Sequence, residues 1–154
     1  MIHPFNNKIE TGLRVLSILN SSHPNGFDLE TLVYLDYLTV HSGDFSSDLP
    51  SLHPAVPSRK GEVFVRRAVI QESLELFESK CLIEKKYTET GIIYFATENS
   101  TPFIENLNEE YCIELNIRAN WVNLNFNTYT PLELYNYMQK HLSIERDNLN
   151  FNIS

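Results

Sequence analysis

Residues 81–97 read Cys81-Leu82-Ile83-Glu84-Lys85-Lys86-Tyr87-Thr88-Glu89-Thr90-Gly91-Ile92-Ile93-Tyr94-Phe95-Ala96-Thr97. Two β-prone runs, 81–87 and 92–97, flank Thr88-Glu89-Thr90-Gly91, where the glycine supplies the positive φ that a hairpin loop needs. The other strong periodicities of the chain are helical, so a hairpin here predicts an α+β fold.

Upstream, Val63, Ile70, Leu74, Phe77 and Cys81 fall on one stripe and predict a helix from Gly61 or Glu62 to Lys80. Before it, residues 42–58 hold three prolines, five serines and one glycine, the composition of an ordered connecting loop. Asp28 stands where an N-cap acceptor is wanted, and Leu29, Leu32, Val33, Leu35 and Tyr37 carry a largely buried helix to Val40. Ile9, Leu13, Leu16 and Leu19 mark a short first helix that breaks at Asn20-Ser21-Ser22-His23-Pro24-Asn25-Gly26. Three helices and then a hairpin is the order of a winged helix, here with a longer loop before the third helix than that fold usually has.

Downstream, Thr101-Pro102 opens a helix predicted to reach Arg118, with Phe103, Leu107, Tyr111 and Leu115 at i, i+4 spacing. Beyond Trp121 the style changes. Val122, Leu124 and Phe126 alternate with Asn123, Asn125 and Asn127, the period of a half-buried strand, and Asn-Leu-Asn-Phe-Asn returns at 148–152. Between them Thr130-Pro131-Leu132-Glu133 is a capping box that opens a helix through Tyr135, Met138 and Leu142. These signals predict a winged-helix-like domain over residues 1–121 and an Asn-rich helix/strand extension over 122–154, packed on the same domain or on a partner. Leu149, Phe151 and Ile153 would anchor an alternating strand added to the edge of a partner's sheet.

The chain has 154 residues, 42% of them apolar, enough for one core and too many for a disordered tail. Its net charge of -8 works against broad attraction to nucleic acid or an anionic membrane. The charge is uneven: residues 81–154 hold five cations and ten anions, while Arg59, Lys60, Arg66 and Arg67 gather near the start of the third helix. In DNA-binding winged helices that element enters the major groove, but Glu62 precedes Arg66 by one helical turn and Glu72, Glu75 and Glu78 make the rest of the helix acidic. Cys81 and Cys112 are too far apart for a metal half-site and too few to staple a secreted fold, so reduced, buried thiols in a cytoplasm are expected. No signal peptide or membrane span is legible, and a cytoplasmic location is expected.

His41 and His53, with Asp36 or Asp44, could supply metal ligands, but no HxH or HExxH spacing puts two histidines on one helical face. His53, between Leu52 and Pro54, suits a loop held to backbone, and His41 suits a helix C-terminus. Ser22-His23 and Cys81 are the only nucleophile candidates, without an elbow or a phosphate-cradling loop. No catalytic residue, metal or cofactor is expected. Trp121, the single tryptophan, reads as a core plug or an interface anchor.

Several strings together carry a resemblance: Leu35-Asp36-Tyr37, His41-Ser42-Gly43-Asp44, Ser51-Leu52-His53-Pro54, the run from Arg59 to Arg67, Phe95-Ala96-Thr97-Glu98-Asn99, Thr101-Pro102-Phe103 and Arg118-Ala119-Asn120-Trp121. Over about Thr11 to Trp121 the chain resembles the small middle component of bacterial three-component ABC-ATPase (ABC-3C) systems, the group that includes Lamassu-type anti-phage defence. The resemblance implies a non-catalytic adaptor whose partners are an SMC-like ATPase subunit and an effector, commonly a nuclease, held until foreign DNA is sensed. DNA is then met through the complex, and no membrane is involved. Contacts are expected at Arg59, Lys60, Arg66, Arg67, His53, Trp121, Leu149 and Phe151. A winged-helix DNA-binding protein or transcriptional regulator is the alternative, and a small hydrolase using Ser22-His23 or Cys81 is a third reading.

Overall fold

The computed structural model describes the backbone of residues 7–53 and 59–153, and side chains within 7–53 and 61–142. Six helices and one hairpin follow in order: α1 (Lys8–Ser22), α2 (Leu29–Val40), α3 (Arg59–Ser79), β1 (Ile83–Thr88), β2 (Gly91–Ala96), α4 (Ser100–Glu105), α5 (Glu110–Phe126) and α6 (Pro131–Ile153). The fold is therefore α+β.

Local chemistry sets most of the boundaries. Asn7 and Asp28 cap α1 and α2, their side chains accepting from Glu10 N and Thr31 N at 2.8 Å each. At the other end of α3, Leu82 N donates to Phe77 O and Cys81 N to Glu78 O, with Cys81 at φ 62°. This is a Schellman stop, in which the left-handed position is usually a glycine. The chain emerges from it directly into β1, which pairs with β2 in antiparallel register from Ile83↔Ala96 to Thr88↔Gly91. The turn is Glu89-Thr90, and Gly91 takes φ 128°. Phe27, in the link between α1 and α2, pairs with Tyr94 on the free side of β2 through bonds of 3.0 and 2.8 Å.

Helix α2 is the centre of the molecule: Leu32, Tyr37, Leu38 and Val40 are wholly shielded from water. Around it α1, α3, α5 and α6 share one hydrophobic cluster with Ile83, Tyr94 and Ala96 of the hairpin. Helices α1 and α3 approach closely at Gly12, where an added Cβ would lie 2.2 Å from the Phe77 ring. The loop after α2 begins with a 3-10 turn at Ser42–Asp44 and is pinned by Ser42 Oγ donating to Leu49 O and Pro50 O. Phe45 in this loop packs at a tilt against His141 of α6, ring centroids 4.6 Å apart.

Several expectations are corrected. The helix foreseen from Thr101 to Arg118 is two helices, interrupted at Asn106-Leu107-Asn108-Glu109, and the second runs on to Phe126. Both Asn-Leu-Asn-Phe-Asn segments are helical, 123–127 at the end of α5 and 148–152 inside α6, so neither forms a strand. Asparagine is a poor strand former, and a helix puts Val122 and Phe126, one turn apart, into the shared core, where both are buried. The strand addition expected for Leu149, Phe151 and Ile153 falls with it; their backbone is helical and their side chains lie outside the described residues. The extension drawn over 122–154 is outside these corrections: its Val122, Phe126, Leu134, Met138 and Leu142 lie in the same cluster as α1–α3.

Candidate functional site

The most concentrated chemistry is inside the helices. Asp36, in the middle of α2, is fully buried and accepts from Arg14 Nε of α1 at 2.8 Å and from Arg66 Nη1 of α3 at 2.6 Å. Arg14 also donates to Thr11 Oγ1 at 3.1 Å. Arg66 Nη2 donates to Glu62 one turn earlier, and the Glu62 carboxylate accepts from His41 Nε2 at 2.8–2.9 Å. Two guanidiniums and two carboxylates thus alternate through the junction of α1, α2 and α3. Burial alone would raise the Asp36 carboxyl, but the two guanidiniums overcome it and hold it below the ordinary carboxylate value. Burial likewise opposes ionisation of Glu62, and the bonds from His41 and Arg66 keep it low.

His53 closes the network toward α5. Its Nε2 lies 3.2 Å from the Tyr111 hydroxyl, and the two rings are nearly parallel, 13° apart. Burial, reinforced by the Arg14 and Arg66 charges, lowers its pKa to about 3, so the ring is neutral at pH 7. Arg118 of α5 makes a second clamp on the same loop: Nε and Nη2 both donate to Pro50 O, at 2.9 and 2.6 Å, while Nη1 donates to Glu114. These bonds neutralise and hold; they tie α1, α2, α3, α5 and the 42–53 loop into one frame.

The residues singled out from sequence part company here. Arg66 faces inward. Arg67 is on the surface and pairs with Glu30 of α2. Arg59 and Lys60 lie in the first turn of α3, and their side chains lie outside the described residues. Exposed beside Arg67 are Phe64 and Val65, 80% and 65% accessible. Trp121 is half-buried on α5, edge-on to Phe126. Ser22 is buried and donates to Leu19 O and Asn25 O, which commits it to the end of α1. Cys81 serves the Schellman stop and is exposed rather than buried, because the left-handed residue that ends α3 turns its side chain outward. His41 and His53 take separate partners, and among the described residues no three His, Cys, Asp or Glu side chains gather as metal ligands would.

A cavity of about 440 Å³ opens between α1, α2, the hairpin, α5 and α6, lined chiefly by Ile18, Phe27, Leu35, Val122, Phe126 and Leu134. Two of its polar side chains are committed locally, Asp28 to Thr31 N and Asn123 to Ser21 O.

Sequence reasoning missed Arg14, the Arg118 clamp on Pro50 and the outer face of α5. A signal existed for the first: Arg14 interrupts the apolar face of α1, and Asp36 interrupts Leu32-Val33-Tyr34-Leu35-Asp36-Tyr37-Leu38. Opposite charges inside two apolar stripes of neighbouring helices imply a buried pair.

Comparison with curated proteins and with solved structures finds no match. The family model of the ABC-three component (ABC-3C) system Middle Component 2 matches residues 4–146. The match takes in α1 through most of α6 and every residue of the buried network, and the chain belongs to that family.

Proposed function

We propose that the chain is the non-catalytic bridging subunit of a Lamassu-like anti-phage complex, linking an SMC-like ABC-ATPase to an effector, commonly a nuclease, and restraining that effector until foreign DNA is sensed. The family match over residues 4–146 carries this reading. The geometry supports it in two ways. Charged side chains of the core are paired across α1, α2 and α3, as a rigid scaffold requires, while apolar side chains stand exposed on α3 and α5. A cytoplasmic location follows from these partners; among the described residues no helix is long and apolar enough to cross a membrane. In the test, the ATPase is tagged and expressed with the effector in the presence or absence of this chain. Effector retained on the ATPase only when the chain is present is the expected result, and retention without it would sink the bridging role.

One observation favours a second reading. The order α1, Phe27 pairing with β2, α2, α3 and hairpin supports a winged-helix reading in which the first strand is reduced to one bridge. Such a fold suits a DNA-binding protein or transcriptional regulator, with Arg59, Lys60 and Arg67 on α3. Phe64, Val65 and the Arg67–Glu30 pair weigh against it. Fluorescence anisotropy with duplex DNA at low salt decides: binding lost on Arg67→Glu selects this reading, and no binding excludes it.

A further inference from the structure

Helix α5 has two apolar faces, and the core uses only one. Cys112, Leu115, Ala119, Val122 and Phe126 point inward. On the outer side Ile113, Ile117 and Leu124 are 49%, 44% and 75% accessible, with half-buried Trp121 beside them. Positions 113, 117, 121 and 124 are spaced i, i+4, i+8 and i+11, which sets them along one stripe of the helix. The stripe spans about 16 Å at 1.5 Å per residue, or three turns. Asn120 is the exposed polar residue within it. Scattered apolar residues on a monomer need no explanation, but a continuous stripe does, above all one built on β-branched isoleucine, a mediocre former of exposed helix.

The charges around the stripe say what covers it. Between residues 97 and 139 the charged side chains are Glu98, Glu105, Glu109, Glu110, Glu114, Arg118 and Glu133. The one cation, Arg118, is turned away and committed to Pro50 O and Glu114. Glu114, on the flank of the stripe, is paired with Arg118, whereas Glu109 and Glu110 lie at its N-terminal end, and this stretch of chain offers no outward-facing cation to balance those two.

We infer that the outer face of α5 docks an amphipathic helix of a partner subunit, one with apolar residues at i, i+3/i+4 spacing and lysine or arginine at the end that meets Glu109 and Glu110. A helix is the matching shape because the ridge spacing on α5 accepts the ridges of another helix. Basic flanks match the unbalanced glutamates, and a second copy of this acidic face offers none. Trp121 supplies the kind of anchor that dominates such interfaces, and Asn120 a polar position that fixes register. The inference rests on the bridging role and names the surface that performs it.

The test uses the co-expressed assembly. With Ile117→p-benzoylphenylalanine in this chain, ultraviolet cross-linking followed by peptide mapping is expected to mark a Lys/Arg-flanked amphipathic segment of the ATPase or effector. Ile117→Lys with Leu124→Lys is expected to weaken that partner's binding about tenfold or more. The same variant leaves the melting temperature unchanged, since both positions face water and a lysine introduced at the first of them would stand near Glu114. Ile117→Leu keeps binding. Cross-links confined to a second copy of this chain, or a double lysine variant that binds as well as the wild type, would overturn the inference while leaving the bridging role standing. Failure of the wild-type chain to join the other subunits removes the bridging role itself, and the docking site with it.

Discussion

Arg14 Nε lies 2.8 Å from Asp36 Oδ1, in a contact where the two side chains are 1% and 0% accessible to water. Arg66 reaches the other oxygen of the same carboxylate. One anion thus serves two buried cations from different helices, and removing it takes the paired carboxylate from Arg14 and leaves Arg66 with Glu62 alone. Asp36→Asn is expected to cost about 3–5 kcal/mol in chemical denaturation, the range for breaking a buried pair from one side. The change keeps the side-chain volume, so a loss below about 1 kcal/mol would mean that the charges do not hold the helices.

The same junction makes the fold sensitive to acid, in a direction fixed by the pKa shifts. His53 falls from its ordinary 6.5 to about 3 on folding. Between those values the unfolded chain binds a proton that the folded chain refuses, so stability is complete above about pH 6.5 and declines as the pH falls. Asp36 and Glu62, held low in the fold, add a further loss only in the carboxylate range. The melting temperature of the wild type should therefore drop already between pH 6.5 and about 5. His53→Gln should flatten that upper part of the curve and leave the lower part; an unchanged curve in the variant counts against a neutral buried ring.

Cys81 occupies a left-handed position, φ 62°, at the end of α3. A side chain there is strained and glycine is not. Cys81→Gly is expected to stabilise the protein by about 0.5–1 kcal/mol, and Cys81→Val to destabilise it by more. Thermal melts under reducing conditions read both directly. A drop in stability on Cys81→Gly would mean that the thiol does more than end the helix.

Gly12 permits α1 to touch α3 through the Phe77 ring. Gly12→Ala gains helix propensity, which alone would stabilise, yet its methyl would overlap a ring that is only 5% accessible. The clash should win, for a net loss of about 1–3 kcal/mol. Phe77→Leu in the same chain should recover part of it, giving a favourable coupling in a double-mutant cycle.

The legible parts of this fold are those decided within a few residues. Gly91 marks the hairpin, and Thr130 with Glu133 forms the capping box that their spacing predicts, at 3.1 and 3.2 Å. Glu62 and Arg66 pair one turn apart as their order favours. What the local pattern does not carry is direction. Arg66 turns inward because Asp36, 30 residues away, needs a second cation. Alternation over five residues also fits a helix once Val122 and Phe126 find the core, and only tertiary contact decides between the two. The stripe on α5 stays hidden in the sequence because Tyr111 and Leu115 trace the inner face of the same helix, and a second apolar face reads as ordinary composition.

The most direct measurement is the native mass of the assembly formed when the ATPase and effector are mixed with and without this chain. A single species containing all three subunits, falling apart into separate ATPase and effector when the chain is left out, is the predicted result. An ATPase–effector complex of the same composition that forms equally well in its absence, with the chain eluting alone, contradicts the bridging role.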